Sequence, residues 1–287
     1  MSTGILLVDK PGGITSHDVV SRARRRLGTR RVGHAGTLDP MATGLLVLGA
    51  GPATRLLTYL VGLDKTYLAT IRLGESTSTD DAEGESTGRY AVDFGDDDLS
   101  AAVARLTGDI LQRPSSVSAI KVAGKRAYAL ARAGEAVELS PRPVTVHEFA
   151  VLNVRRGDDA VDVDVRVDCS SGTYIRALAR DLGAALGSGG HVTALRRTRV
   201  GPFDVSAAGP VEDTPVVPAA EAAAALFPVV RLDDQRTWEL AHGMRIAVDA
   251  PDAEPVAALA PDGTLIGLVA VSRGAARVLA NFPQEDA

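Results

Sequence analysis

One carboxylate, Asp39, lies in a run of mostly small residues, GHAGTLDPMATG, that covers residues 33–44. Glycines give such a loop backbone conformations that other residues avoid, and they allow a ligand to approach closely. Pro40 restricts Asp39 to extended geometry, which helps to set the direction of the carboxylate. A carboxylate held rigidly beside a basic partner can attack carbon or stabilise developing positive charge. Because an isolated Asp-Pro pair is more often a turn or a helix cap, chemistry at Asp39 needs support from other segments.

The flanking segments predict the elements that hold this loop. Residues 5–8 are apolar and predict a short strand, which is followed by a turn at DKPGG, residues 9–13. Thr15, with Asp18 three residues later, has the pattern of a capping box and predicts the start of a helix. Residues 45–48 are wholly apolar and predict a buried strand. We therefore expect the loop to be anchored by a buried strand directly after it.

The predicted helix carries a cluster of arginines with no acidic residue among them. Its apolar positions fall on one face, so the arginines occupy the rest of its surface. Such a cluster can be an ordinary solvated face, but its density favours the binding of phosphate groups. The six arginines are Arg22, Arg24, Arg25, Arg26, Arg30 and Arg31.

The net charge of −5 argues at first against a nucleic-acid partner, but the charge is unevenly distributed. Residues 1–72 carry ten Lys and Arg against four Asp and Glu, a net of +6, and residues 101–200 carry a net of +5. Residues 73–100 and residues 201–287 each carry a net of −8. Because a polyanion responds to the local field of the face on which it docks, the two basic stretches permit RNA binding.

Composition excludes several classes of protein. The 287 residues are 45% hydrophobic, which is enough for one large domain and a small one. No apolar stretch reaches the roughly 18 residues that span a bilayer, and no export signal is apparent, so we expect a cytoplasmic protein without membrane contact. Cys169 is the only cysteine, which rules out an internal disulfide and a thiolate metal cluster. His17, His147, His191 and His242 show no metal-ligand spacing.

Periodicity predicts much of the remaining fold. Residues 65–73 and 161–168 alternate between apolar and polar, which is typical of half-buried strands, so the DVD in the second segment does not indicate a phosphatase nucleophile. Residues 53–61 predict a helix, and the acidic residues 75–88 predict a loop. Residues 210–228, rich in Pro and Ala, predict a linker with one short helix. Strands of mixed length with few helices favour an α+β fold with an extended antiparallel sheet.

Five segments follow one another in the order found in a known family. They resemble the motifs of the TruB-type tRNA pseudouridine synthases, which isomerise uridine 55 in the TΨC arm of tRNA. The matching segments are LVDKPGGITS (7–16), GHAGTLDPMATG (33–44), KTY (65–67), SGTYIR (171–176) with DLG (181–183), and LRRT (195–198).

The resemblance implies an α+β fold with a long mixed, largely antiparallel sheet, flanking helices and a central cleft. It implies a catalytic pseudouridine synthase domain over residues 1–205, with an RNA-gripping insertion at about residues 107–135. A linker over residues 206–231 and a small PUA-like β-domain over residues 232–287 would complete the chain.

The resemblance also assigns catalytic roles. Asp39 is implied as the essential carboxylate, Arg176 as the guanidinium that keeps it ionised, and Tyr67 as the aromatic side chain that stacks on the target base. Making pseudouridine breaks the N1–C1′ bond and joins C5 to C1′ without a redox or phosphoryl-transfer step, so we expect neither a cofactor nor a metal. The carboxylate can attack C1′ or assist formation of a glycal, and the sequence leaves both routes open.

Further residues are implied to contact RNA. The expected partner is the TΨC stem-loop of tRNA, and we expect a monomer without an obligate protein partner. The residues implied to bind the target nucleotide are His34, Lys10, Asp81, Tyr174 and Leu195. The candidates for contact with the RNA backbone are Arg24, Arg25, Arg30, Arg31, Lys121, Arg126, Arg196 and Arg197.

Two other functions stay open on the sequence. A non-catalytic RNA-binding or RNA-folding protein could keep the pocket and use only its basic face. A hydrolase of nucleosides could use Asp39 as its nucleophile, although the many residues apparently devoted to gripping RNA argue against it.

Overall fold

The computed structural model describes residues 3–115, 121–122, 125–126 and 139–282. Its helices are α1 (Ser16–Leu27), α2 (Leu57–Val61), α3 (Asp96–Arg105), α4 (Ile175–Ala185), α5 (Ala219–Leu226) and α6 (Asp234–Ala241). Its strands are β1 (Gly4–Lys10), β2 (Val32–His34), β3 (Thr43–Ala50), β4 (Lys65–Leu73), β5 (Glu75–Thr77), β6 (Ser86–Arg89), β7 (Gly108–Gln112), β8 (Lys121–Val122), β9 (Lys125–Arg126), β10 (Arg142–Arg156), β11 (Val161–Cys169), β12 (Gly190–Val200), β13 (Phe203–Asp204), β14 (Val216–Pro218), β15 (Val229–Arg231), β16 (Ile246–Ala247), β17 (Ala253–Leu259), β18 (Leu265–Ser272) and β19 (Ala275–Asn281). Short 3₁₀ helices cover Gly51–Leu56 and Val205–Ala207.

The chain folds into two units. Residues 1–40, 44–61 and 200–287 form the first unit, and residues 41–43 and 62–199 form the second. The N-terminal strand and the C-terminal residues thus belong to the same unit. The domain boundaries predicted from the sequence stay predictions.

In the first unit, β1 is the central strand between β3 and β14, and β2 also pairs with β3. The antiparallel pairing of β1 with β3 runs from Gly4 opposite Ala50 to Lys10 opposite Gly44. Their buried side chains are mainly aliphatic, which is typical of a strand covered on both faces. Ile5, Leu6, Leu45, Leu46, Val47 and Leu48 are fully buried. The predicted buried strand after the Asp39 loop is confirmed.

Helix α1 begins as the sequence predicts. The Thr15 hydroxyl accepts a hydrogen bond from the Asp18 N–H, and the Asp18 carboxylate accepts one from the Thr15 N–H, so both halves of the capping box are present. Gly28 ends the helix in the left-handed conformation, with φ of 63°. Val19, Val20 and the other buried residues of α1 lie on one face, which leaves the arginines on the rest of the helix surface.

The segment predicted as a linker contributes a strand to the first unit. Strand β14 pairs with β1, and α5, the predicted short helix, follows it directly. The Thr214 hydroxyl donates to the Leu7 carbonyl, and the Asp9 N–H donates to the Gly209 carbonyl. This segment, rich in Pro and Ala, shows no strong apolar periodicity, so the sequence did not predict a strand in it. A strand can nevertheless form there, because strands pair through backbone N–H and C=O groups.

The C-terminal residues form a second sheet of the first unit, with the strand order β15-β17-β18-β19-β16. Its core includes Val230, Leu240, Val256, Val269 and Val271. Strands β17, β18 and β19 pair antiparallel, while β15 pairs parallel to β17. With helix α6, this sheet forms the small C-terminal β-structure that the resemblance implied.

The second unit is built on a sheet with the strand order β12-β4-β11-β10-β7. Strands β4 and β11 pair antiparallel along their whole length, from Lys65 opposite Cys169 to Leu73 opposite Val161. In β11, alternate valines are buried and the acidic residues between them are more exposed, as the sequence predicts. Asp162 accepts two hydrogen bonds from the Arg72 guanidinium, which lowers the pKa of that carboxyl. The DVD segment is therefore part of an ordinary cross-strand network.

Helix α4 contains a glycine at its closest approach to another segment. A Cβ atom built on Gly183 would overlap the backbone of Gly189 and Gly190, which leads into β12. The Ser188 N–H also donates to the Gly183 carbonyl over 2.9 Å. The absence of a side chain at Gly183 therefore sets the position of α4 in the second unit.

Two local expectations differ from the structure. Residues 53–61, predicted as one helix, belong to a 3₁₀ helix over Gly51–Leu56 followed by α2, with Pro52 in the first turn, where its missing N–H costs no bond. The acidic loop at residues 75–88 contains the hairpin of β5 and β6. The residues of the two strands have no apolar side chains and none is fully buried, so apolar periodicity could not predict the hairpin.

The expected α+β fold with largely antiparallel sheets and flanking helices is confirmed. Most of the insertion predicted at residues 107–135 lies outside the described residues, which include β7, β8 and β9 within it. In the part of the chain that the structure describes, no helix is long and apolar enough to cross a membrane.

We expect the substitution Gly183→Ala to lower the free energy of unfolding by about 1–3 kcal/mol, the usual cost of overpacking. The added methyl group meets backbone rather than a flexible side chain, so α4 has to shift. Urea denaturation of the purified protein measures the change. Gly62→Ala is the matched control, because a Cβ on Gly62 meets nothing within 4 Å. Equal stability of the two variants would contradict the close approach.

Candidate active site

The Asp39 loop (residues 33–44) is held from both sides by the end of β1 and the start of α1. The Ser16 hydroxyl lies 2.9 Å from the Leu38 nitrogen and 3.1 Å from the Leu38 oxygen, so it accepts from the N–H and donates to the carbonyl. On the other side, the Pro40 carbonyl accepts from the Gly13 N–H at 2.8 Å and from the Lys10 ammonium at 3.1 Å. Asp39 itself is half-buried. The backbone around Asp39 is thus fixed, while the residue itself stays partly exposed.

Lys10 has a structural role in this arrangement. It is fully buried, and its ammonium donates to the carbonyls of Pro11, Ile14 and Pro40. A buried ammonium is stable only when its hydrogens are bonded, and these carbonyls supply that. Direct contact between Lys10 and substrate stays a prediction.

Two glycines of the loop have backbone angles that other residues rarely adopt. Gly36 has φ of 94° and Gly44 has φ of 97°. They lie on either side of Asp39, so the chain can turn sharply before and after it. Gly36 and Gly44 therefore shape the loop, as the sequence predicts.

Other predicted residues of the first unit lie on α1, on β2 and between these two elements. His34 is half-buried at the end of β2, in register with Leu48 of β3. Arg24 donates to the Val32 carbonyl at 3.0 Å, and Arg31 donates to the Thr54 hydroxyl at 3.3 Å. Both arginines therefore support the fold as well as carrying charge.

Arg25 and Arg30 differ from their neighbours in the cluster. Both side chains are exposed. Among the described residues, neither side chain has a hydrogen bond or an ion pair to another part of the protein. Of the predicted RNA-backbone contacts on α1 and just beyond it, these two are the most available to phosphate.

In the second unit, the structure brings Arg176 and Asp81 together. The Arg176 guanidinium lies 3.4 Å from the Asp81 carboxylate, and the two side chains are only 3% and 5% exposed. Arg176 also donates to the Thr79 carbonyl at 2.8 Å. The Asp81 carboxylate accepts from the Thr79 hydroxyl and the Glu83 N–H. This buried pair joins α4 to the turn between β5 and β6.

Arg180, one turn after Arg176 on α4, was not predicted as a site residue. It pairs with Asp80 at 3.3 Å and with Asp181 at 2.8 Å, and it donates to the Arg113 carbonyl. Burial raises the pKa of the Asp181 carboxyl, while Arg180 opposes that shift. The spacing of four residues between the two arginines, which places them on one helix face, is the signal that could have found Arg180.

Tyr67 lies on β4 and is 8% exposed. Lys65, two residues earlier on the same face of the strand, is buried, and its ammonium donates to the Leu63 carbonyl. Burial, together with the nearby charge of Arg197, lowers the pKa of Lys65 to about 8. In the KTY motif, Tyr67 therefore shares one face of the strand with Lys65, whose charged form is disfavoured by burial.

Cys169 lies opposite Lys65 on β11 and is fully buried. Burial raises the pKa of its thiol to about 12, and the thiol donates to the Lys65 carbonyl. A thiol in that state is not a nucleophile at neutral pH. Cys169 is therefore a packing residue of the sheet.

Tyr174 lies directly before α4 and is half-buried. The Gln112 amide forms two hydrogen bonds to its backbone, since its oxygen accepts from the Tyr174 N–H and its nitrogen donates to the Tyr174 carbonyl. Gln112 is only 1% exposed and was not predicted from the sequence. No local pattern marks it, because its partner is 62 residues away.

Leu195, Arg196 and Arg197 lie on β12, and Arg197 is 1% exposed. Leu195 and Arg196 line a groove of about 510 Å³ together with Thr43, Thr70 and other residues of the second unit. The Thr43 hydroxyl is within 3.5 Å of the Leu195 carbonyl and of the Arg196 guanidinium. The segment after Asp39 is thereby connected to the LRRT motif.

The predicted roles of Lys121 and Arg126, and the predicted pairing of Asp39 with Arg176, stay predictions. Lys121 and Arg126 are opposite each other in the β8–β9 pair, and their side chains lie outside the described residues. Asp39 belongs to the first unit while Tyr67 and Arg176 belong to the second, so the pairing of Asp39 with Arg176 stays a prediction. In the described ranges, no three His, Cys, Asp or Glu side chains are grouped so that they could hold a metal ion.

Three family models match the sequence. The model of the TruB family pseudouridylate synthase (N terminal domain) matches residues 24–175, which is more than half of the chain. The tRNA pseudouridylate synthase B C-terminal domain matches residues 176–220. The model named tRNA Pseudouridine synthase II, C terminal, matches residues 227–283.

Curated proteins of similar length are close in sequence. A protein of Leifsonia xyli named tRNA pseudouridine synthase B is 55% identical, over 100% of this chain and 98% of its own length. A protein of Arthrobacter sp. with the same name is 57% identical, over 98% of this chain and 97% of its own. A third, from Thermobifida fusca, is 56% identical, over 98% and 99% of the two chains.

The fold is also found in a solved complex. A chain of an H/ACA RNP bound to a substrate RNA containing 2′-deoxyuridine superposes with a TM-score of 0.71 and 25% identity. The similarity covers 99% of this chain and 86% of that chain. Motifs, family models and relatives agree over nearly the whole sequence. The chain therefore belongs to the TruB family and is a pseudouridine synthase.

Proposed function

We propose that this enzyme converts uridine 55 in the TΨC arm of tRNA into pseudouridine, with Asp39 as the carboxylate that acts on the sugar. The observation that carries the proposal is the position of Asp39, whose neighbours Leu38 and Pro40 are both hydrogen-bonded to residues at the start of the chain. Relatives at 55% and 57% identity are named tRNA pseudouridine synthase B, which supports tRNA as the substrate.

The reaction is an isomerisation, so its atoms balance within the nucleotide. The N1–C1′ bond breaks, the C5–C1′ bond forms, C5 loses a proton and N1 gains one. Asp39 can attack C1′, as a carboxylate does in a retaining glycosidase, or it can assist formation of a glycal. Either route needs the carboxylate to be ionised and correctly directed.

Arg176 is proposed to keep Asp39 ionised. A guanidinium is always charged at neutral pH and has five N–H donors in a fixed fork. The contacts to Asp81 and to the Thr79 carbonyl account for part of that donor set and hold the side chain in a buried position. A guanidinium that is already held by one carboxylate can stabilise a second carboxylate next to it, and the arginine side chain then loses no further conformational entropy.

The target uridine has to leave its stack before it can reach a carboxylate in a loop. Base flipping costs a few kcal/mol, which new stacking and hydrogen bonds offset. We assign stacking on the base to Tyr67, with Tyr174 and Leu195 lining the same pocket. His34 is proposed to fill the space that the base leaves.

The surface proposed to bind the RNA backbone includes Arg25 and Arg30, which are exposed. Arg24, Arg31, Arg196 and Arg197 are proposed to add positive charge to the same field. We propose that the enzyme acts in the cytoplasm, since its proposed substrate is tRNA, and that it acts as a monomer.

We expect Asp39→Asn to abolish pseudouridine formation while the affinity for tRNA is kept. The amide has nearly the same size but cannot act as a carboxylate, so the single-turnover rate constant should fall at least about 10³-fold. The assay uses an unmodified tRNA transcript without added metal or nucleotide, and pseudouridine is mapped at each position.

The exposed carboxylate of Asp213 provides the control variant, Asp213→Asn, which should keep wild-type turnover. Product formation by Asp39→Asn at the wild-type rate would contradict the proposal. If the wild-type protein binds tRNA but forms no pseudouridine, the protein is an RNA-binding protein only. Turnover of free uridine would favour a nucleoside hydrolase instead.

We expect Arg176→Ala to lower the free energy of unfolding by about 3–5 kcal/mol, because the Asp81 carboxylate is then buried without its guanidinium partner. Chemical denaturation measures the loss. Arg236→Ala removes an exposed pair with Asp233 and should change stability by less than about 1 kcal/mol. An Arg176→Ala protein as stable as the wild type would show that the buried pair contributes nothing.

We expect Tyr67→Phe to bind tRNA normally and to turn over slowly. If the hydroxyl transfers a proton near C5, its loss should slow the single-turnover rate about 10²-fold or more. Tyr90→Phe, at a residue that is 46% exposed, is the control. Wild-type turnover by Tyr67→Phe would show that the hydroxyl has no role in the chemistry. The ring would then have a stacking role only.

A further inference from the structure

The Ser16 hydroxyl makes an unusual pair of contacts. It is 2.9 Å from the nitrogen and 3.1 Å from the oxygen of the same residue, Leu38. One hydroxyl can accept one hydrogen bond and donate another, so it satisfies both backbone groups of Leu38. Ser16 is 2% exposed and Leu38 is 4% exposed, so water has little access to replace these bonds.

The Leu38 carbonyl belongs to the peptide group that ends at the Cα of Asp39. A hydrogen bond to that carbonyl therefore fixes the plane from which the Asp39 side chain projects. On the far side, Pro40 fixes its own φ and restricts Asp39 to extended geometry. Bonds from Lys10 and Gly13 to the Pro40 carbonyl fix the peptide group that follows Pro40. Ser16 bonds the backbone on the N-terminal side of Asp39 through its side chain.

From these contacts we infer that Ser16 is a positioning residue for Asp39, which acts through the Leu38 backbone and not by touching the substrate. The inference rests on the proposed function, in which Asp39 acts on the sugar. Ser16 is the first residue of α1, so the direction of the carboxylate depends on where the helix starts. Misplacement of a reacting group by about 1 Å can slow a reaction on the order of 10²-fold.

The neighbouring residue provides a matched control. Thr15 also has a hydroxyl at the start of α1, but this hydroxyl bonds to Asp18 within the helix cap and has no described bond to Leu38. Substitution of an N-cap threonine by alanine destabilises a helix start. Thr15→Ala therefore tests the effect of a weaker helix, while Ser16→Ala also removes both bonds to Leu38.

The experiment measures three quantities for each variant: the single-turnover rate constant at saturating enzyme, the Kd for unmodified tRNA, and the melting temperature. Ser16→Ala should lower the rate constant on the order of 10²-fold with an unchanged Kd. Thr15→Ala should lower the melting temperature but keep the rate constant. Ser16→Cys, whose thiol is a weak donor and acceptor, should give an intermediate rate.

A folded Ser16→Ala protein with the wild-type rate constant would overturn the inference. An equal loss of rate in Thr15→Ala would also overturn it, because helix stability would then explain the effect. If Ser16→Ala does not fold, Ser16→Cys provides the test. A wild-type rate constant in Ser16→Cys would then overturn the inference, because it would leave no role for the hydrogen bonds between Ser16 and Leu38. Asp39→Asn in the same assay separates the two proposals, because full turnover there would overturn the proposed function itself.

Discussion

Asp39 lies between two residues, Leu38 and Pro40, whose backbone groups are hydrogen-bonded to residues at the start of the chain, and the site depends on this constraint. Ser16 bonds to Leu38, while Lys10 and Gly13 bond to Pro40. These bonds exist only if β1, the turn after it and α1 fold together against β3. The buried aliphatic side chains of β1 and β3 thus stabilise the direction of a carboxylate that lies outside both strands.

In the second unit, the cost of burying charge organises the residues around α4. Arg176 is almost fully buried, so it needs a carboxylate and further acceptors, and Asp81 and the Thr79 carbonyl supply them. One turn later, Arg180 bonds to Asp80 and Asp181. The turn between β5 and β6 is therefore connected to the helix that carries the predicted catalytic arginine.

Local patterns were sufficient for the elements with a strong apolar period. Alternation over residues 65–73 predicted β4, and the Thr15–Asp18 pattern predicted the capping box that begins α1. The hairpin of β5 and β6 was missed, because its strand residues are polar and show no apolar alternation. Gln112 was missed for a related reason, since its two hydrogen bonds reach a residue 62 positions away. Neither feature leaves a signal in neighbouring residues.

The sequence by itself determined the family, the identity of the candidate carboxylate and the course of its loop, because these depend on residue types at fixed spacing. Only the tertiary structure decided which groups each side chain meets. Lys10, which the resemblance implied as a contact of the target nucleotide, proved to be buried and bonded to three carbonyls. Arg176 proved to pair with Asp81, 95 positions earlier. A side chain buried away from water takes whatever partner the packing brings near, and packing joins residues that are distant along the chain.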